Sequence, residues 1–270
     1  MPVKIEFTTE QLMRQTLLPQ HGKSYTVISH GDVIDETRSQ LQSAGFNITN
    51  ELYKTNLNGE VAQGIYHLDY GNDPDMTLMF GWSNSYNKTM AFKCAIGSQV
   101  RVCMNGMVAG DMAKYRKKHR GLQAMSEVIT TINHQISHAK EYYDQLVKDK
   151  EMLKTVILSP VERANIIGQL YLTQEVLTLS QLGVVKREID NPSHNYGSKD
   201  SAWDLYNHVT FSLKDSHPMS YLDDHQKVHK FFIDSYGGLV TPKVTTPVIV
   251  PNYETIDIKE HVNDPGVIFL

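Results

Sequence analysis

Hydrophobic and polar positions change period twice along this chain. Thr8, Thr9 and Glu10 open a short helical pattern that Pro19 closes. Asp32 is placed to cap a second helix, with Val33, Ile34, Thr37 and Leu41 on its inner face and Gly45 where a C-terminal glycine belongs. From Phe46 the period drops to two. Phe46, Ile48 and Leu52 share one parity, and Asn58-Gly59 predicts a tight type I′ turn, which needs positive φ at both central positions. Tyr66, Leu68 and Tyr70 continue as a second strand, residues 71–75 turn, and residues 76–82 form a short apolar run. Residues 83–88 read as another polar turn. Met90, Phe92, Cys94 and Ile96 then alternate with Ala91, Lys93 and Ala95, and residues 100–104 make a fifth strand closed by Asn105-Gly106. Residues 46–104 therefore predict an antiparallel β-meander.

After the meander the pattern is helical. Leu122, Met125, Ile129, Ile132, Ile136, Ala139, Tyr143 and Leu146 step by three and four, the seam of one long helix. Ser159-Pro160-Val161-Glu162 starts the next, with Ser159 as cap, Pro160 at the first helical position and Glu162 reaching back; Gly183 ends it. The two are expected to form a helix hairpin. A polar loop, residues 191–199, leads to a helix carrying Trp203, Tyr206, Thr210 and Leu213, and another spans about 222–236. The predicted class is α+β: a meander followed by a helical half with a long helix hairpin. Residues 1–236 form the expected domain, and residues 237–270, rich in proline and valine, an arm that docks on this subunit or a neighbour.

Charge changes this picture more than composition does. The net charge is -4, yet residues 88–120 hold eight cations against Asp111, or +7, which leaves -11 for the remainder. Residues 114–120 alone (Lys114-Tyr115-Arg116-Lys117-Lys118-His119-Arg120) carry five formal positive charges just before the long helix. Such asymmetry draws a polyanion to one face. Lys114, Arg116, Lys117, Lys118 and Arg120 are the candidate phosphate contacts, supported by Lys93 and Arg101, while Tyr86 and Tyr115 offer rings on which bases stack. The competing account is a charge run that only faces water.

Other chemistry is incomplete. His134, His138 and Glu141 have a metal-compatible spacing but no HExxH, and they lie off the apolar seam, as a solvated face would; His225 and His229 read the same way. His21-Gly22-Lys23-Ser24 ends like a phosphate loop without its earlier glycine. Cys94 sits on the apolar parity of its strand, as an inert core thiol does, and two cysteines are too few for a disulfide framework. No catalytic residue, metal or cofactor is assigned, and an enzyme is the less favoured class. No run of eighteen apolar residues and no secretory pattern occur, so the expected location is the host-cell cytoplasm.

Three segments carry a family resemblance: Arg101-Val102-Cys103-Met104-Asn105-Gly106-Met107-Val108, then His119-Arg120-Gly121, then Ser201-Ala202-Trp203-Asp204-Leu205-Tyr206-Asn207. Together with the meander and helix pair, these make residues 25–213 similar to the phage/plasmid-like protein family, a domain of unknown function found in prophages and mobile elements. The family's N-S-H-D-G-S turn resembles Ser83-Asn84-Ser85-Tyr86-Asn87-Lys88, where Asn84-Ser85 match and the His, Asp and Gly are replaced. The layout is also similar to single-strand annealing proteins, which assemble rings or filaments around a strand. The resemblance implies work on phage or plasmid DNA, or against host defence. The expected function is single-stranded DNA binding or annealing in recombination or replication, by a homo-oligomer. The alternative is a protein-interaction module that inhibits a host factor or serves as a structural subunit. A metal-dependent hydrolase built on His134, His138 and Glu141 is the third option.

Overall fold

The computed structural model describes residues 9–20, 26–108, 113–115 by their backbone, and 124–237. Of the expectations above, Thr8, residues 21–24, Asp111, residues 116–122 and the arm from 238 onward lie outside the described residues.

The first two helices, α1 (Thr9–Gln15) and α2 (His30–Ser43), precede the sheet. Ser29, not Asp32, caps α2: its hydroxyl accepts from the amides of Gly31 at 3.1 Å and Asp32 at 3.4 Å. Gly45 takes a positive φ of 82° after the helix, the left-handed conformation that glycine adopts without steric cost. Arg14 and Arg38 bind α1, α2 and the first strand into one ionic lattice through Glu10, Asp35 and Glu51.

The α+β prediction holds. Strands β1 (Ile48–Thr55), β2 (Val61–Leu68), β3 (Met76–Ser85), β4 (Phe92–Val100) and β5 (Gly106–Val108) follow in that order as an antiparallel meander, and β6 (Ala113–Tyr115) pairs with the other half of β4. Three local expectations change. At the first hairpin only Gly59 has positive φ, and its amide donates to the Asn56 carbonyl at 3.0 Å, so the turn is not type I′. Residues 83–85 continue β3 instead of turning, because Asn84 and Ser83 find partners far away in sequence: the Asn84 amide donates to the Ile28 carbonyl at 2.9 Å and the Ser83 hydroxyl to that of Pro218 at 3.0 Å. Residues 101–105 form a turn closed by the Val100 amide on the Asn105 carbonyl at 2.9 Å, with the fifth strand beyond it.

Both faces of the sheet are covered. Tyr66, Leu68, Leu78, Phe80, Trp82, Phe92, Cys94 and Ile96 pack against α2 and α3 (Ala124–Ser137). On the opposite face Ile65, Met79, Ala95 and Val108 meet Tyr221 and Leu222 of α8 (Tyr221–Tyr236). Small residues let α8 approach: a Cβ at Gly81 would lie 2.9 Å from Leu222, and one at Gly106 would lie 3.1 Å from Tyr221 and His225.

The long predicted helix is two, α3 and α4 (Ala139–Thr155). The Ser137 hydroxyl (2.8 Å) and the His138 ring (2.9 Å) both engage the His134 carbonyl, competing with the main-chain ladder there. The capping box on α5 (Pro160–Leu172) is present, with Ser159 and Glu162 in the predicted roles. Gly183 does not end that helix. Glu175 turns the chain at φ 50°, and a second capping box, Thr178 with Gln181, starts α6 (Leu179–Asp190), inside which Gly183 lies. Thus each half of the expected hairpin is divided. Buried on nearly every side, α7 (Ala202–Ser212) runs through the helical core, and a short 3-10 turn (Leu213–Asp215) joins it towards α8.

Candidate functional site

The basic segment enters the fold at the edge of the described sheet. β6 pairs antiparallel with β4, placing Lys114 opposite Lys93 and Tyr115 opposite Phe92. Arg101, exposed in the β4–β5 turn, donates from Nε to the Met76 carbonyl at 3.2 Å. Arg116, Lys117, Lys118 and Arg120 lie outside the described residues.

Two expected contact residues are interior and are corrected here. Lys93 is buried, and its ammonium is taken up by the Asp223 carboxylate and the Met219 carbonyl. Tyr86 is also buried. Its ring stacks on His30 at 3.8 Å between centroids, and its hydroxyl accepts the His30 amide at 2.7 Å. It ties the end of β3 to the start of α2 and has no face open to a base. His225 and His229 are likewise not on a solvated face. Both are buried, His225 bonded to the Tyr221 carbonyl at 2.9 Å and His229 to Asp149 at 3.0 Å. His134 is exposed and its ring lies 4.9 Å from that of His138. Among the described residues no cluster of histidine, cysteine and carboxylate has the geometry for a metal ion. Cys94 is fully buried, and burial pushes its thiol well above the ordinary range, away from nucleophilic chemistry.

Two of the singled-out motifs meet in space. The 101–108 segment forms the β4–β5 hairpin, and the 201–207 segment opens α7. Asn105 Nδ2 donates to the Asn207 carbonyl at 2.9 Å and to its side-chain oxygen at 3.1 Å, and the Cys103 thiol donates weakly to the same oxygen at 3.8 Å. This polar pin is wholly buried and holds the hairpin against the helical core.

The same hairpin walls a pocket that sequence reading missed. Between the α8 face of the sheet and the 3-10 turn lies a cavity of about 250 Å³, lined by Leu52, Lys54, Gln63, Ile65, Gln99, Met104, Lys214, Asp215 and Tyr221. Lys54 stands opposite Gln63 in the β1–β2 register. The Lys54 ammonium reaches the Lys214 carbonyl and sits 5.5 Å from the Tyr221 ring centroid; the Lys214 ammonium reaches the Cys103 carbonyl. Burial lowers the pKa of both lysines, with Asp215 opposing at each. Gln63 is 1 % exposed, and among the described residues neither its amide nitrogen nor its oxygen has a hydrogen-bond partner. No sequence signal marked it: Gln63 lies on the opposite parity to Tyr66 and Leu68, and the lysines that complete the site are 160 residues apart.

No helix among the described residues is long and apolar enough to cross a membrane. The family model described as Domain of unknown function (DUF932) matches residues 18–230, which include the meander, the hairpin and α7, and the chain belongs to that family. No curated protein and no solved structure matches the chain.

Proposed function

We propose that this member of the DUF932 family binds single-stranded nucleic acid along the β4–β6 edge of its sheet, as an oligomer acting on phage or plasmid DNA. The observation that carries the reading is the position of β6. It is an edge strand in the described sheet, and it opens the basic segment, so the densest positive charge of the chain begins where the sheet has no further described neighbour. Lys114, Arg116, Lys117, Lys118 and Arg120 are the proposed phosphate contacts, with Tyr115 as the stacking ring; Arg101 follows the opposite end of β4 from the residues that pair with β6 and stands apart from this set. Lys93 and Tyr86 are no longer part of the set.

A strand held by five such cations releases counterions on binding, which gives a log–log salt slope of about -3.5 for single strands. Fluorescence anisotropy with a labelled oligonucleotide, titrated with salt, measures it directly. Binding that falls with that steepness, and that is lost in the double variant Lys117→Glu/Lys118→Glu, supports the proposal. No binding at low salt, or binding that survives the charge reversal, overturns it and leaves the competing reading, a protein partner from the host. Light scattering of the full chain tests the oligomer: a monomer at working concentration removes that element of the proposal.

A further inference from the structure

The cavity beneath α8 has a composition that an empty structural void does not need. Buried polar atoms are nearly always paired, and leaving a donor or an acceptor buried without a partner destabilises the fold. Among the described residues Gln63 leaves one of each at a nearly inaccessible position lining the cavity. A methionine there would fill the same volume with no unpaired atoms. The adjacent cations point the same way. Lys54 and Lys214 each have a main-chain carbonyl as ammonium partner, and neither forms an ion pair among the described residues. Asp215 supplies one negative charge against the two, so the pocket is cationic by one. Ile65, Leu52, Met104 and the Tyr221 ring make the remaining wall apolar and partly aromatic.

An adjacent donor and acceptor match a planar ring edge that presents an acceptor and a donor in return. Glutamine makes this bidentate pairing with base edges. Two ammonium groups suit a phosphate, and an aromatic wall suits the face of a base. We infer that this cavity binds one nucleotide, its base edge on Gln63 and its phosphate between Lys54 and Lys214. The volume admits a single unit. A free nucleoside monophosphate and the phosphorylated end of a strand present the same chemistry, and the test separates them.

Thermal shift and calorimetry on the full chain use adenosine and thymidine 5′-monophosphates, the matching nucleosides, inorganic phosphate, and an oligonucleotide with and without a 5′-phosphate. Three variants complete the set: Gln63→Met, Lys54→Met and Lys117→Glu/Lys118→Glu. At least one mononucleotide, or the 5′-phosphorylated strand alone, is expected to bind and raise the melting temperature. Gln63→Met should weaken that binding by about tenfold or more, the value of one bidentate base contact. It should also raise the melting temperature of the unliganded protein, since it removes the unpaired atoms at nearly constant volume. Lys54→Met should abolish the preference for nucleotide over nucleoside. The charge-reversal variant should leave mononucleotide binding intact, so failure of the edge proposal and failure of this one are distinguishable. Absence of binding by every nucleotide and strand at millimolar concentration, equal binding by Gln63→Met, or a Gln63→Met protein less stable than its parent would each overturn the inference.

Discussion

Asn105 and Asn207, 102 residues apart, are locked together in the interior: one amide nitrogen of Asn105 serves both the main-chain and the side-chain oxygen of Asn207, at 2.9 and 3.1 Å. Asn105 closes the β4–β5 hairpin, and Asn207 lies in a helix buried on almost every side. The contact therefore couples the two halves of the fold. It also fixes the hairpin that carries Met104 and the Cys103 carbonyl into the α8-side pocket.

Because both amides are buried, removing either leaves the other partly unsatisfied. Asn105→Ala and Asn207→Ala should each cost about 2–3 kcal/mol in denaturant unfolding. The double variant should cost clearly less than the sum, with a coupling energy of about 0.5–3 kcal/mol. Additive losses would mean that the two side chains act independently, contrary to the geometry.

Gly64 tests the packing on the other face of the sheet. A Cβ there would lie 2.5 Å from the Trp82 ring atoms Cε2 and Nε1, and that ring is fixed by its own hydrogen bond to the Tyr66 hydroxyl at 3.2 Å. Gly64→Ala should cost about 1–3 kcal/mol through overpacking. Adding Trp82→Leu, which frees the space, should recover part of that loss; a cost that grows additively instead would rule out the clash as its cause.

What the sequence made legible was local. Gly45, the Ser159–Glu162 capping box and the strand through residues 92–96 each depend on a few neighbouring side chains, and each is found where expected, although both faces of that strand are buried. What it hid was set by partners far along the chain. Residues 83–85 look like a turn because they are polar, yet Asn84 is satisfied by Ile28 and Ser83 by Pro218. His229 resembles a surface histidine until Asp149 is placed beside it. Gln63 has no sequence signature at all, since its meaning comes from the lack of a partner among the described residues beside a cavity.

Acid should destabilise this protein well before its carboxylates titrate. Burial pushes the imidazoles of His30 and His225 down to about 4, against an ordinary value near 6.5. Between these values the unfolded chain binds more protons than the folded one, so stability is full above about pH 6.5 and falls as the pH drops towards 4. Each histidine contributes up to about 1.4 kcal/mol per pH unit inside that window. Urea midpoints measured from pH 7 to 4.5 should fall accordingly. His225→Gln should flatten the slope even if it lowers the midpoint at pH 7, and an unchanged slope would show that His225 is not buried as a neutral ring.

Lys93 separates a structural cation from a binding one. Alternation along β4 set it apart from Phe92 and Cys94, which gave it the look of a surface charge, but α8 covers that face and Asp223, 130 residues later, takes its ammonium. Lys93→Met removes one partner of a mostly buried pair. A fully buried pair broken in this way costs about 3–5 kcal/mol; with Asp223 28 % exposed, water offsets part of the loss and about 1–3 kcal/mol is expected. The salt slope for oligonucleotide binding should stay as in the parent, because Lys93 releases no counterion. Lys117→Glu/Lys118→Glu should do the reverse, leaving the melting temperature nearly unchanged while the slope and the affinity collapse. If Lys93→Met shallows the salt slope by about one phosphate without loss of stability, the strand runs over the α8 face, and the sheet-edge path proposed for it is wrong.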